Sequence, residues 1–198
     1  LTEAGADRVI AMDLHTPQIQ GFFDIPLDHL YASTVLVRTL MKENLDNLAI
    51  AAPDVGGVKT ARAYATRLNA DLVVVDKRRP AHNVAEVMNI IGDVQNKNVI
   101  IVDDLIDTGS TFVKCAEALK NKGAAKIMGV CTHAVFSGSA IDKINNSDAV
   151  SKVFVTDTMP GNWDSPKIEI ISIAELLAEA IVRTHDNASI SSLFEIVR

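Results

Sequence analysis

The stretch "VIIVDDLIDTGSTF", Val99 to Phe112, runs four apolar residues into two adjacent carboxylates and then through a polar, glycine-containing turn into a helical pattern. Its apolar half reads as a buried strand, and Thr108-Gly109-Ser110-Thr111 opens the next helix. Asp103 and Asp104 thus stand side by side at the end of a buried strand, where like charges repel and neither is easily desolvated. In open parallel sheets ligands collect at the carboxyl ends of strands, so the pair points to a ligand. A helix N-cap cluster of Asp107 and Thr108 with solvated carboxylates is the competing reading. Two adjacent acids after an all-apolar strand weigh against it, because charges are rarely kept at buried edges without a partner.

Outward from this stretch, apolar runs of strand length recur as "RVIAMDL", "NLAIAAPD", "DLVVVD", "KIMGVCTHAVF", "KVFVTDT" and "IEIISI". Helical periodicities lie between several of them: "GVKTARAYATRLNA", and "STFVKCAEALKNKGA" ending at Gly123. The alternation predicts an α/β fold, a mostly parallel sheet with helices on both faces. A last helix, "SIAELLAEAIVRTH", is expected to start at Ser172 as N-cap with Glu175 completing a capping box. The polar stretch "DKRRPAHNVAEVMNIIGDVQNKN" reads as a hairpin or a loop and not as another crossover helix.

With 198 residues, 48% hydrophobic, 22% charged and net charge -6, the chain has material for one or two globular domains with a real core. The acidic balance, with no basic stripe carrying interleaved aromatics, argues against nucleic acid as a partner. No apolar run is long enough to span a bilayer, and "LTEAGADRVI" lacks the features of a signal peptide, so no membrane partner and a cytoplasmic location are expected. Cys115 and Cys131 have no metal-ligand spacing and read as reduced core residues. His133 and His185 read as structural or surface residues.

Four candidate sites emerge. At the first, Asp103 and Asp104 are acceptors only, suited to vicinal ribose hydroxyls. The N–H groups and hydroxyls of Thr108, Gly109, Ser110 and Thr111 suit a phosphate favoured by the helix dipole, with Asp107 buttressing the turn. At the second, "APDVGGVKT", Asp54, Val55, Gly56 and Gly57 form a strand-end loop. Its glycines allow close backbone approach or positive φ, which suits a pyrophosphate, and Asp54 can hold a metal; a plain turn is the alternative. The spacing of a P-loop is absent. The third, "MDLHTPQIQGFFDIPLDHL", gathers Asp13, His15, Asp24 and Asp28. Hard carboxylates with one imidazole suit Mg²⁺, with Mn²⁺ as the alternative, while a scatter of solvated acids is the plainer reading. The fourth is Lys77-Arg78-Arg79, cations at a strand end able to neutralise a transferring phosphoryl group.

"DLHTPQIQGFFDIPLD" resembles the signature of the ribose-phosphate pyrophosphokinase (phosphoribosyl pyrophosphate synthetase) family. "VDDLIDTGST" resembles the phosphoribosyl-binding loop that the family shares with the type I phosphoribosyltransferases. "PDVGG", "KRRPAHNVAEVMNIIGDV", "THAVFSG", "AIDKINNS" and "LAEAIVRTH" resemble the same family in the same order. The resemblance implies a type I phosphoribosyltransferase-like fold and diphosphoryl transfer from MgATP to the 1-hydroxyl of ribose 5-phosphate. Carried over, Asp103, Asp104 and Asp107 to Thr111 bind ribose 5-phosphate, with Arg79 reaching the sugar phosphate as well. Asp54 to Gly57 form the pyrophosphate loop, Lys77 and Arg79 are the catalytic pair, and His15 and Asp54 are the metal positions, with Asp13, Asp24 and Asp28 weaker. It also implies a homo-oligomer, hexamers being common in the family.

The domain expectation is 1–30 as the end of an N-terminal α/β domain whose remainder is absent, 31–180 as a phosphoribosyltransferase-like domain, and 181–198 as a tail packing on the former. A chain so shortened is expected to bind sugar phosphate but not ATP properly. A phosphoribosyltransferase and a non-catalytic homologue of the synthetase are the alternatives. The first leaves "DLHTPQIQGFF" without a purpose, and the second would be expected to show eroded loops.

Overall fold

The computed structural model describes residues 1–78, 87–161 and 163–193. Near the start, β1 (Val9–Met12) pairs in parallel with β2 (Leu27–Leu30), and the two form a small sheet of their own. The remaining strands are β3 (Leu48–Ala52), β4 (Asp71–Arg78), β5 (Val87–Ile91), β6 (Asn98–Ile106), β7 (Lys126–Ala134), β8 (Lys152–Thr156) and β9 (Ile168–Ile171). They build a seven-stranded sheet in the order β5-β4-β3-β6-β7-β8-β9, parallel throughout except for the β4–β5 pair.

Period-two alternation within the apolar strands assigns side chains to two cores. Ala49, Ala51, Val99 and Ile101 face Phe112, Cys115 and Leu119 of α3 (Ser110–Asn121) and Ile144 of α4 (Ala140–Asn146). Their neighbours Ile50, Ala52, Ile100 and Val102 face the other way. There they meet Leu36, Val37 and Leu40 of α1 (Ser33–Lys42), Ala61 and Tyr64 of α2 (Val58–Leu68), and Ile173, which precedes α5 (Ala174–His185). The sheet is therefore covered by helices on both faces, as the alternation of strand and helix patterns predicts. Each fully buried Leu, Ile or Phe contributes roughly 1.5–3 kcal/mol of transfer free energy, which is what makes this layering decisive.

The helix over "STFVKCAEALKN" stops where expected: Gly123 takes φ +98 and Ala124 N–H bonds Leu119 O at 3.1 Å, closing the last turn. Both cysteines are buried and free, and burial pushes the Cys115 thiol up to about 12. Within the stretch read as a hairpin or a loop, β5 returns antiparallel to β4, while residues 79–86 lie outside the described residues.

Three elements were not anticipated. β2 is only four residues long, and α4 only seven. α1, "STVLVRTLMK", is rich in β-branched residues with modest helix propensity, and it is the burial of Leu36, Val37 and Leu40 against the sheet that makes it helical. Two expectations need correcting. α5 starts at Ala174, not with Ser172 as its cap: Asp157 accepts the Ser172 hydroxyl at 2.6 Å and Ile173 N–H at 2.9 Å, while Ser172 Oγ accepts only Ala174 N–H at 3.2 Å. A boundary after residue 180 falls inside α5, which runs unbroken to His185.

Candidate active site

The two halves of the large sheet are wound in opposite senses. β3 leads through α2 to β4 on one side, while β6 leads through α3 to β7 on the other, and α2 and α3 cover opposite faces. β3 and β6 are neighbours, so the loops leaving their carboxyl ends part above a common crevice, the place where open α/β sheets bind ligands. Register places Ala51 opposite Ile101, so β3 gives way to the Asp54 loop at the level where β6 presents Asp103 and Asp104. This crossover brings together the first two candidate sites, about fifty residues apart in sequence.

Asp103 and Asp104 are half-buried. Asp103 Oδ1 accepts the N–H of Asp104 at 3.0 Å, yet burial and the neighbouring Asp104 charge push the Asp103 carboxyl up to about 7. The acid pair is thus electrostatically loaded. A third group joins it from the segment that follows β1: His15 Nδ1 lies 2.7 Å from Asp104 Oδ2, and that bond raises the imidazole pKa. The Asp103 and Asp54 charges also raise it, in smaller measure.

Beyond the acids the phosphate-type turn is held from a neighbouring element. Gly109 is left-handed (φ +71), and a Cβ there would lie 3.3 Å from Ala140 at the start of α4. Lys143 on α4 donates from Nζ to Thr108 O at 3.0 Å and to Ser110 Oγ at 2.8 Å. Ser137 donates its hydroxyl to Asp107 and its N–H to Asp107 O. Lys143 was not singled out from the sequence; it sits in a helix too short to show a period, and only the fold places its charge at the turn.

In the other loop Asp54 Oδ1 accepts Gly57 N–H at 2.9 Å. Neither Gly56 nor Gly57 adopts positive φ, contrary to one reason offered for them. A Cβ at Gly56 would instead come 3.2 Å from Asp54 Oδ1, so closeness to that carboxylate is what a side chain would disturb.

The remaining candidates are dispersed. The Asp13 carboxylate is committed to Ala32 N–H (3.0 Å) and the Thr132 hydroxyl (2.7 Å), with its pKa raised by burial. Asp28 pairs with Arg8 at 2.5 Å, and Asp24 is exposed. Among the described residues no three potential metal ligands converge. Lys77 lies in β4 opposite Met88, and Arg79 lies outside the described residues. His133 proves to be tied into the site's support, bonding backbone carbonyls of Met12 and Asp13. A cleft of about 420 Å³ lined by Ile10, Met12, His133, Asp157, Thr158 and Leu177 includes neither Asp54 nor Asp103 nor Asp104, so topology and charge, not cavity size, locate the site. Among the described residues no helix is long and apolar enough to cross a membrane.

Comparison with known proteins gives a consistent picture. The sequence profile of the phosphoribosyl synthetase-associated domain matches residues 77–195. Ribose-phosphate pyrophosphokinases of Chlorobaculum tepidum and Chromobacterium violaceum are 55% and 53% identical over 197 residues, 98% of this chain. The chain spans 61% and 60% of their respective lengths. A crystal structure of phosphoribosylpyrophosphate synthetase from Mycobacterium smegmatis superposes with a TM-score of 0.87 at 34% identity, covering 94% of this chain and 61% of that one. The fold is accordingly the type I phosphoribosyltransferase-like one.

Proposed function

The chain belongs to the phosphoribosyl synthetase-associated domain family, and from that premise we propose that the protein of which it forms a part is a ribose-phosphate diphosphokinase. It transfers the β,γ-diphosphoryl group of ATP to ribose 5-phosphate, giving phosphoribosyl pyrophosphate and AMP for nucleotide biosynthesis. The observation that carries the reading is the switch-point crevice, where an acid pair, a clamped phosphate-type turn and an imidazole from the segment after β1 meet.

In this reading the ribose 5-phosphate takes its phosphate on Asp107 to Thr111, at the N-terminus of α3, and its vicinal hydroxyls donate to Asp103 and Asp104. Relief of the Asp103–Asp104 repulsion by two hydroxyl donors favours binding of the neutral sugar ring. The 1-hydroxyl oxygen then forms a bond to the β-phosphorus as the bond from that phosphorus to the oxygen shared with the α-phosphate breaks; AMP departs with that oxygen, and the hydroxyl proton is lost. Asp54 to Gly57 cradle the transferred pyrophosphate, and Lys77 and Arg79 carry the catalytic cationic roles. Positioning and electrostatics supply the acceleration, with no covalent enzyme intermediate.

The donor set around the crevice, three carboxylates and one imidazole with no thiolate, fits magnesium, with Mn²⁺ as the alternative. His15 and Asp54 are the residues that would hold it, and when bound it neutralises phosphate charge. We further propose a cytoplasmic, homo-oligomeric enzyme. A phosphoribosyltransferase would share the turn but has no use for the His15 segment lying on Asp104. Incubating the complete protein with ATP, Mg²⁺ and ribose 5-phosphate should release AMP, and Lys77→Ala should abolish the release; if AMP never forms while phosphoribosyl pyrophosphate still binds, the synthetase reading is wrong.

A further inference from the structure

We propose that His133 on β7 is a positioning residue that clamps the Met12 and Asp13 carbonyls and thereby sets His15 against Asp104; its link to turnover rests on the diphosphokinase reading above. Residues 12–15 form a strap leading from β1 across the crevice. Asp13 within it has φ +40, a left-handed conformation that is unfavourable for a non-glycine residue and persists only where the surroundings hold it.

Those surroundings are nearly complete. Asp13 N–H bonds Leu30 O at 2.9 Å, and Leu14 N–H bonds His29 Nε2 at 2.8 Å, which fastens the strap to β2. Burial lowers the His29 pKa and favours the neutral imidazole that this acceptor role needs. His133 fastens the strap to the large sheet: its Nε2 lies 3.1 Å from both Met12 O and Asp13 O. Both partners are carbonyl oxygens, so Nε2 carries the proton and donates to them. With Nε2 protonated, the other ring nitrogen accepts the Thr158 hydroxyl 3.0 Å away, which fixes the plane of the ring.

Register explains why this clamp matters to the acids. His133 stands opposite Leu105 on β6, two residues beyond Asp103. The ring therefore sets the gap between the strap and the acid pair across a single strand spacing of about 4.8 Å. Two residues further along the strap, His15 reaches Asp104 at 2.7 Å. The Thr132 hydroxyl makes a second tie from β7, to the Asp13 carboxylate, so losing the ring loosens the strap without unfolding it.

The test compares His133→Leu, which removes both N–H and ring acceptor, with His133→Gln, whose amide can still donate to the carbonyls, in the complete protein. Amide hydrogen exchange at Asp13 and Leu14 should quicken about tenfold in the Leu variant, with α3 amides unchanged. For AMP release, kcat should fall about tenfold or more while KM for ribose 5-phosphate stays within about threefold, and His133→Gln should recover most of the loss. An unchanged exchange rate at Leu14, an unaltered kcat, or a Gln variant as impaired as the Leu variant would overturn the clamp. Should His133→Leu fail to fold, Thr158→Val serves instead: it frees the ring plane and should lower kcat about threefold, and no change in kcat sinks the proposal. If the parent protein makes no AMP, the exchange contrast still decides the clamp, and only the reaction reading falls.

Discussion

The loops after β3 and β6 look alike in sequence, each an apolar strand running into Asp and Gly ahead of a helix, yet they are held differently. Asp107 to Thr111 is fixed from outside, by Ala140 against Gly109, Lys143 on Thr108 and Ser110, and Ser137 on Asp107. Asp54 to Gly57 is exposed over its first three residues, and the contact that shapes it is its own Asp54–Gly57 bond. A turn braced by a neighbouring element is preorganised for a ligand and charges little for binding it, whereas a self-contained turn keeps the freedom to close around one.

Substitutions should expose this difference, the largest effect first. Gly109→Ala forces a Cβ onto Ala140 in a left-handed backbone, and should cost about 2 kcal/mol of stability and roughly a hundredfold in ribose 5-phosphate affinity, read by denaturation and calorimetry. Lys143→Met removes a cation and its brace while keeping bulk, and should weaken ribose 5-phosphate about tenfold with kcat nearly unchanged. An equal fall in kcat would mean that Lys143 acts on the transferring group instead.

Smaller effects follow from charge. Asp103 stands at about 7 in the fold against an ordinary 3.8, a raised value, so its favourable contribution is full below pH 4 and is lost as pH rises towards 7. Asp103→Asn should flatten that dependence and raise the ligand-free melting temperature at pH 7.5 by about 3 °C, while weakening the sugar. A melting temperature that falls would show the carboxylate to be stabilised by something other than its neighbours. Smallest of all, Gly56→Ala meets only the movable Asp54 side chain at an ordinary φ and should cost under about 0.5 kcal/mol, with less than threefold on sugar affinity. If it matches Gly109→Ala, the contrast between the loops is wrong.

Much of the architecture was readable because strands and amphipathic helices write their periods locally. Seven apolar runs became seven of the nine described strands, and Asp103, Asp104 and the turn up to Thr111 stand together as read. The misses have one physical origin. α1, with its β-branched residues, and β2, with four residues, carry weak local signals and are made by packing. Asp13 resembled a ligand because its residue type and neighbourhood suggested one, but only the fold shows its carboxylate turned to Ala32 and Thr132.

By itself the sequence determined the α/β class and the chemistry of the β6 end, since an apolar run, two acids and a glycine turn dictate their own local conformation. Tertiary structure decided which distant groups join them. His15 meets Asp104 across 89 positions, and Lys143 reaches Ser110 across 33, because adjacent strands wound in opposite senses open one crevice between them. Nothing in the spacing of residues along a chain records which strands end up as neighbours, so spacing alone could not have placed them there.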